Sequence, residues 1–391
     1  MVRPFIKKEL SQSRCKLKAK LCFVTSSVMT ANAFLVAPIN KLCEQYEVYL
    51  VVNGEPEEIS PEFNKSLSII KVNIEREIAP VLDLKALYNL IKIFKEYNFD
   101  LIQSVTPKAG LLAMLAAFIC QIKIRIHIFT GQVWATKIGT SRYFFKKIDS
   151  LIAGLATRVL VDSQSQKTFL VEEKIVAAQK TKVLGSGSIS GVDIKRFQFN
   201  KESRKKVRTE LSINEGVDVF LFLGRLNKDK GVLDLANAFA AMTNTETHLL
   251  FVGPDEEGVG SEIRQILQEC IERVHFVGFS SKPEDYMSAS DFLCLPSYRE
   301  GFGSVVIEAA AVGIPTIGSK IYGIEDAVVD NETGLLFEVG NYRALKECME
   351  KMVSDMKLSK KLGSNAKERA NTEFSSTLQA RLWLDYYKTL L

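Results

Sequence analysis

The sequence predicts an α/β protein made of two doubly wound domains with parallel sheets, facing one another across a cleft. Three observations carry this. A chain of 391 residues exceeds what one compact core accommodates and fits two domains of ordinary size. The apolar and charged fractions, 47% and 25%, are those of a folded globular protein and exclude general disorder. Short β-rich apolar runs also alternate with longer runs of helical period along the chain, the rhythm of βα units.

Taken in order, residues 1–20 form a leader rich in Lys and Arg, without the apolar stretch of a secretory signal. The first domain, 21–190, carries six expected strands: Leu21 to Ser26, Glu47 to Asn53, Leu67 to Val72, Asp100 to Val105, Lys123 to Thr130 and Arg158 to Ser163. Between the fourth and fifth lies GLLAMLAAFIC, Gly110 to Cys120, far short of the roughly 20 apolar residues that span a bilayer. It reads as a buried helix. A polar stretch, SGSISGVDIKRFQFNKESRKK, reads as the hinge, and its cluster Lys201 to Arg208 as solvated surface charge. The second domain, 191–373, repeats the rhythm with strands at Val219 to Leu226, His248 to Gly253, Val274 to Phe279, Asp291 to Ser297 and Pro315 to Ser319. Residues 374–391 form a closing helix that can return to the first domain. The seven cysteines are scattered without a CxxC pair or a His/Cys cluster, and read as reduced core residues of a cytosolic protein.

Ligands of open α/β sheets sit outside the carboxyl ends of the strands, which directs attention to SYREGFGSVVIEAAAVGIPTIG, Ser297 to Gly318. A strand ends there, YREGFG turns, and SVVIEAAAVG forms a helix closed by Gly313 and Pro315. The first free N–H groups of that helix, near Gly303 to Val305, favour an anion such as phosphate. Glu308, a turn into the helix, and Glu300, in the loop before it, suit sugar hydroxyls rather than phosphate. Together they fit a nucleotide sugar. The turn GRLNKDKG, Gly224 to Gly231, adds Arg225 and Lys230, two cations able to neutralise a departing diphosphate.

These motifs, followed by LLFVG, VHFVGF, AVGIPTIGS and NETGLLFEVGN in that order over residues 219 to 345, resemble the retaining glycosyltransferases of family GT4. HIFTGQVW, His127 to Trp134, is similar to that family's cleft-histidine segment, and SGVDIKRF to its NGVD hinge motif. The resemblance implies the GT-B fold of two facing Rossmann-like domains. It gives Arg225 and Lys230 the donor diphosphate and Glu308 the ribose hydroxyls. Glu300, with the loop of Gly301, Phe302 and Gly303, would address the transferred sugar and distal phosphate, and His127 would line the cleft from the first domain. His248 and His275 receive no role. In two places the chain departs from the pattern: TSSVMTANAF lacks the glycine pair of the first turn, and Ser190 stands where Asn is usual.

No two aspartates have the Asp-x-Asp spacing of a metal clamp, so no divalent metal and no cofactor is expected; the nucleotide sugar is a substrate. The resemblance implies retention by same-face attack, the leaving phosphate helping to deprotonate the acceptor. The leading expectation is a transferase moving a sugar, hexosyl or N-acetylhexosaminyl, from a UDP-linked donor to a lipid-linked or other glycan acceptor, including a polyprenyl-diphosphate-linked one, in bacterial-type polysaccharide assembly. The alternatives are a nucleotide-sugar epimerase of the same fold and a non-catalytic nucleotide-sugar binder. The expected place is the cytoplasm, with the basic leader touching an anionic membrane on its inner face; nucleic acid is not an expected partner.

Overall fold

The structure is a computed structural model that describes residues 18–75 and 79–391. The strands of the first domain are β1 (Lys20–Thr25), β2 (Glu47–Val52), β3 (Ser68–Lys71), β4 (Leu101–Val105), β5 (Ile124–Phe129), β6 (Arg158–Val161) and β7 (Thr181–Val183). Its helices are α1 (Val28–Phe34), α2 (Val36–Cys43), α3 (Pro80–Tyr97), α4 (Pro107–Ile119), α5 (Gly139–Leu155) and α6 (Gln164–Glu172). The second domain carries α7 (Lys201–Glu210), then β8 (Val219–Leu223), β9 (His248–Val252), β10 (Val274–Gly278), β11 (Phe292–Leu295), β12 (Thr316–Ser319) and β13 (Gly334–Phe337). Helices α8 (Val232–Ala240), α9 (Gly260–Ile266), α10 (Pro283–Ala289), α11 (Ser304–Val312) and α12 (Ile324–Ala327) connect those strands, and α13 (Tyr342–Ser354), α14 (Met356–Glu373) and α15 (Ser376–Lys388) close the chain.

Both sheets are parallel. Their orders, β3-β2-β1-β4-β5-β6-β7 and β10-β9-β8-β11-β12-β13, are the doubly wound pattern written twice. The order reverses beside β1 and β8, and the crevice each reversal leaves opens toward the other domain. Helices cover both faces, so the strands read as continuous apolar runs: Leu21 to Val24 and Val219 to Phe222 are wholly buried.

Two strands, β7 and β13, were not expected: β7 has three residues, too few to show a period, and Gly334–Phe337 was read only as part of the NETGLLFEVGN motif. The hinge is also shorter than expected. Asn200 caps α7, its side chain accepting from the N–H groups of Glu202 and Ser203, so Lys201 onward is helical. The cluster Lys201 to Arg208 is not simply solvated surface. Arg208 is buried and donates to Asp291 Oδ2 at 2.7 Å and to the Ala289 carbonyl at 2.9 Å, while Arg204 reaches Asp291 Oδ1 at 2.9 Å. Asp291 also accepts from the N–H of Val219, so one carboxylate pins the helix to the start of two strands.

The chain crosses between the domains twice, and the crossings lie side by side. Val192 N–H donates to the Phe374 carbonyl at 2.7 Å, and Ser376 N–H returns a bond to the Val192 carbonyl at 2.8 Å. Gly191 adopts φ +63° there, and a Cβ would collide with the Phe374 carbonyl, so only glycine serves. Beyond the crossing, α15 packs on the first domain. Trp383 and Tyr387 stack on Phe23, Trp383 Nε1 donates to the Ile189 carbonyl, and the Tyr387 hydroxyl meets Gln103.

Candidate active site

The two sheets face each other with their carboxyl ends inward and leave a cleft of about 600 Å³. Its C-terminal-domain wall is set by three local devices. Asn227 accepts the N–H of Lys230 and shapes the turn after β8. Gly231 then takes φ +66° against the Pro296 carbonyl, where a Cβ has no room. Lys230 is thereby directed across the turn to pair with Glu300, which also accepts the Ser297 hydroxyl at 3.0 Å. The third device is Gly303 at φ +77°, which starts α11 so that its first N–H groups open on the cleft beside Ser304 and Val305.

Lys230, Glu300, Gly301, Phe302, Gly303 and Glu308 therefore share one cavity. Phe302 is buried and packs its ring against Phe374, anchoring the loop to the interdomain crossing. Arg225 is not among the residues lining the cavity. Its Nη1 lies 3.0 Å from Glu256 Oε2, outside the cleft and partly exposed. Glu308 is set one turn into α11, and burial pushes its carboxyl up to about 7, opposed by the Arg196 guanidinium and aided by Glu284.

His127 does not line the cleft, which corrects the sequence expectation. It sits inside β5 rather than at its end, 1% exposed, bonded through Nδ1 to Ser104 Oγ at 2.8 Å and edge-on to Phe129. Helix α4 crosses over the ring so closely that only glycine fits at Gly110. Burial lowers its pKa to about 3, so it is a neutral core residue. The residue that reaches the cleft from this strand is Thr130, three positions on.

Sequence reasoning also missed Asp162 and Arg196, both in the cleft wall. Asp162 was legible as the first residue beyond β6, at the carboxyl end of a parallel strand. Arg196 lies in the hinge, where polar residues without period carry no directional signal; its guanidinium donates to Glu284 Oε2 and to the Ser281 carbonyl, each at 3.0 Å. In the first turn of the chain, where the expected glycine pair is missing, Met29, Asn32 and Ala33 of α1 face the cavity instead. Ser190, at the hinge, lines it as well, its hydroxyl turned to the Gly191 carbonyl.

Comparison with known proteins identifies the family and the fold. Residues 203–369 match the family model of glycosyl transferases group 1. The chain is 30% identical to the capsular polysaccharide biosynthesis glycosyltransferase CapM of Staphylococcus aureus, over 87% of this chain and 90% of that one. It is 23% identical to the N,N'-diacetylbacillosaminyl-diphospho-undecaprenol alpha-1,3-N-acetylgalactosaminyltransferase of Campylobacter jejuni, over 95% and 99%. Among solved structures, HepE of Anabaena in complex with UDP superimposes with a TM-score of 0.79 at 20% identity, covering 95% of this chain and all of the other. A likeness at that identity speaks for the fold. The two facing Rossmann-like sheets are a GT-B fold, and the chain belongs to the glycosyl transferases group 1 family.

Proposed function

We propose that this glycosyltransferase moves a hexosyl or N-acetylhexosaminyl group from a UDP-linked donor to a lipid-linked glycan acceptor during bacterial-type polysaccharide assembly, as a retaining enzyme of family GT4. The observation that carries the reading is the single cavity in which Lys230, Glu300, the open N-terminus of α11 and Glu308 meet between two domains. In this assignment the diphosphate lies at the N-terminus of α11 with Lys230 beside it, Glu308 accepts the ribose hydroxyls, and the Glu300 loop holds the sugar. Arg225 joins the diphosphate by leaving Glu256. Charge grows on the diphosphate as the sugar departs, and fixed N–H groups and cations stabilise it there more than in the ground state. These groups serve in place of a metal. The acceptor hydroxyl attacks from the same face and passes its proton to the departing phosphate.

Names of relatives support a lipid carrier: the Campylobacter enzyme acts on a diphospho-undecaprenol-linked sugar. No helix among the described residues is long and apolar enough to cross a membrane. Contact with a lipid acceptor is therefore proposed as peripheral, through the basic leader and a first-domain surface where Ile138, Tyr143 and Phe144 are exposed next to Lys137, Lys146 and Lys147.

The test is release of free UDP from UDP-sugars, with and without an undecaprenyl-diphosphate-linked saccharide, in buffer containing a chelator. Acceptor-dependent release that survives chelation is expected. Release without acceptor, or its abolition by chelation, would reject the proposed reaction or its independence of metal, respectively.

A further inference from the structure

Asp162 belongs to the first domain yet lies against the sugar-addressing loop of the second. It follows β6 directly and lines the cleft together with Lys230 and Glu300. Its backbone is fixed on both sides: the N–H donates to Gln166 Oε1 at 2.8 Å, and the carbonyl accepts from Ser188 at 2.7 Å. The carboxyl receives a hydrogen bond from the backbone N–H of Ile189. Across the interface, a Cβ at Gly301 would stand 2.8 Å from Asp162 Oδ2, so the carboxyl packs directly against Gly301 of the Glu300 to Gly303 loop.

The same loop is gripped by the start of α6. Ser163 Oγ donates to the Gly301 carbonyl at 3.2 Å. Ser165 N–H donates to Asp326 Oδ2 at 3.0 Å, its hydroxyl bonds the same carboxylate, and Gly323 N–H donates to Ser165 Oγ at 2.7 Å. Phe169 stacks on Tyr322 with centroids 4.4 Å apart. The spacing of Asp162 from Glu300 is thus held by bonds that cross the interface. It does not depend on the hinge alone.

A buried acid beside a second acid is a poor partner for phosphate. Burial first, then the nearby Glu300, raise the Asp162 carboxyl to about 8, against the Ile189 hydrogen bond that lowers it. Near neutral pH it carries its proton, so it both donates and accepts, as a sugar hydroxyl requires.

We propose that Asp162 is a specificity-determining residue that hydrogen-bonds a hydroxyl of the donor's transferred sugar, so that this sugar is read from both walls of the cleft. The inference rests on the donor assignment of the Glu300 loop. It adds that the nucleotide is held by the second domain alone, whereas the sugar is held by both.

Calorimetric titration of the full chain with UDP and with UDP-glucose, UDP-galactose, UDP-N-acetylglucosamine and UDP-N-acetylgalactosamine tests it, with melting temperature as the folding control. Asp162→Ala should weaken the best-bound UDP-sugar about tenfold, the worth of one hydrogen bond, and leave UDP within about twofold. Asp162→Asn, which keeps a donor and an acceptor in the same shape, should retain most of the affinity and alter the ranking among the epimeric sugars. Should Asp162→Ala not fold, Asp162→Ser carries the same comparison. Equal weakening of UDP and UDP-sugar, or no change in either, would overturn the proposal; so would a loss confined to the acceptor's KM. Failure of the unaltered chain to bind any of these ligands would instead sink the donor assignment itself, a result separable from the others because it precedes any substitution.

Discussion

Glu308 is the residue whose chemistry and protonation are most closely tied. Its carboxyl, raised to about 7, holds its proton more tightly in the folded chain than in the unfolded one. The stabilisation this gives the ligand-free fold is complete below the ordinary carboxylate range and is lost as pH rises through about 7. In the proposed donor assignment binding would run the other way, since the ionised form would accept two ribose hydroxyls. UDP affinity should therefore strengthen several-fold between pH 6 and pH 8. Glu308→Gln should remove that dependence and weaken binding by about 10- to 100-fold, the range of a charge-assisted hydrogen bond. A pH-independent affinity in the unaltered chain would dismiss the ribose role. Lys230 presents a different contrast, because in the absence of donor its ammonium is already neutralised by Glu300. In the proposed assignment a diphosphate would compete for that ion pair, and would gain most from Lys230 only as its charge grows. Lys230→Ala should lower kcat by about two orders of magnitude while changing UDP affinity less than tenfold. Loss of affinity at constant kcat would make Lys230 a simple anchor.

At the scale of elements, legibility followed burial. Strands covered on both faces announced themselves as apolar runs, and the loop–helix unit from Glu300 to Glu308 was readable because its glycines and carboxylates stand at the carboxyl end of such a run. Very short strands such as β7 were not, nor was α7, whose charged residues hide two arginines turned inward toward Asp291. His127 misled because one residue's place along a strand decides between core and cleft: strand β5 ends at Phe129, and the cavity begins at Thr130. Contacts across the interface, such as Asp162 against Gly301, join residues 139 positions apart in sequence and leave no local signature. One element-level device is open to a direct test. Gly231 turns the chain from the Lys230 loop into α8 at φ +66°, with the Pro296 carbonyl where a side chain would go. Gly231→Ala should cost about 1 kcal/mol for the left-handed backbone alone, and more for the collision. It should also move Lys230 off Glu300, so activity should fall further than stability accounts for. Equal activity at a slightly lower melting temperature would show that the turn tolerates the change.

For the whole molecule, the proposed lipid-linked acceptor raises the problem of how the cleft between the two domains would reach it. The apolar run of α4 does not serve as an anchor, since most of its residues are buried in the first-domain core and only Phe118 and Ile119 at its end are exposed. The leader, with the exception of its last three residues, lies outside the described residues, but its composition is plain: Arg3, Lys7, Lys8, Arg14, Lys16, Lys18 and Lys20 stand in the first twenty positions. Each such charge near an anionic leaflet is worth about 1 kcal/mol and is screened by salt. The exposed Ile138, Tyr143 and Phe144 would add apolar contact on the same domain. Binding through charge is thus expected to dominate and to be reversible. Vesicles containing phosphatidylglycerol should sediment the chain at low ionic strength and release most of it at 0.5 M salt, on the order of three to four times a physiological ionic strength. Removing residues 2–17 leaves β1 whole and takes away five of the seven leader cations. It should therefore cut vesicle binding at least about tenfold while leaving UDP affinity in solution unchanged. Phe144→Ser together with Tyr143→Ser should weaken binding further at high salt, where the apolar contribution is what remains. Sedimentation indifferent to both salt and leader removal would mean that the chain meets its acceptor without docking through charge, and a water-soluble glycan would then become the better acceptor.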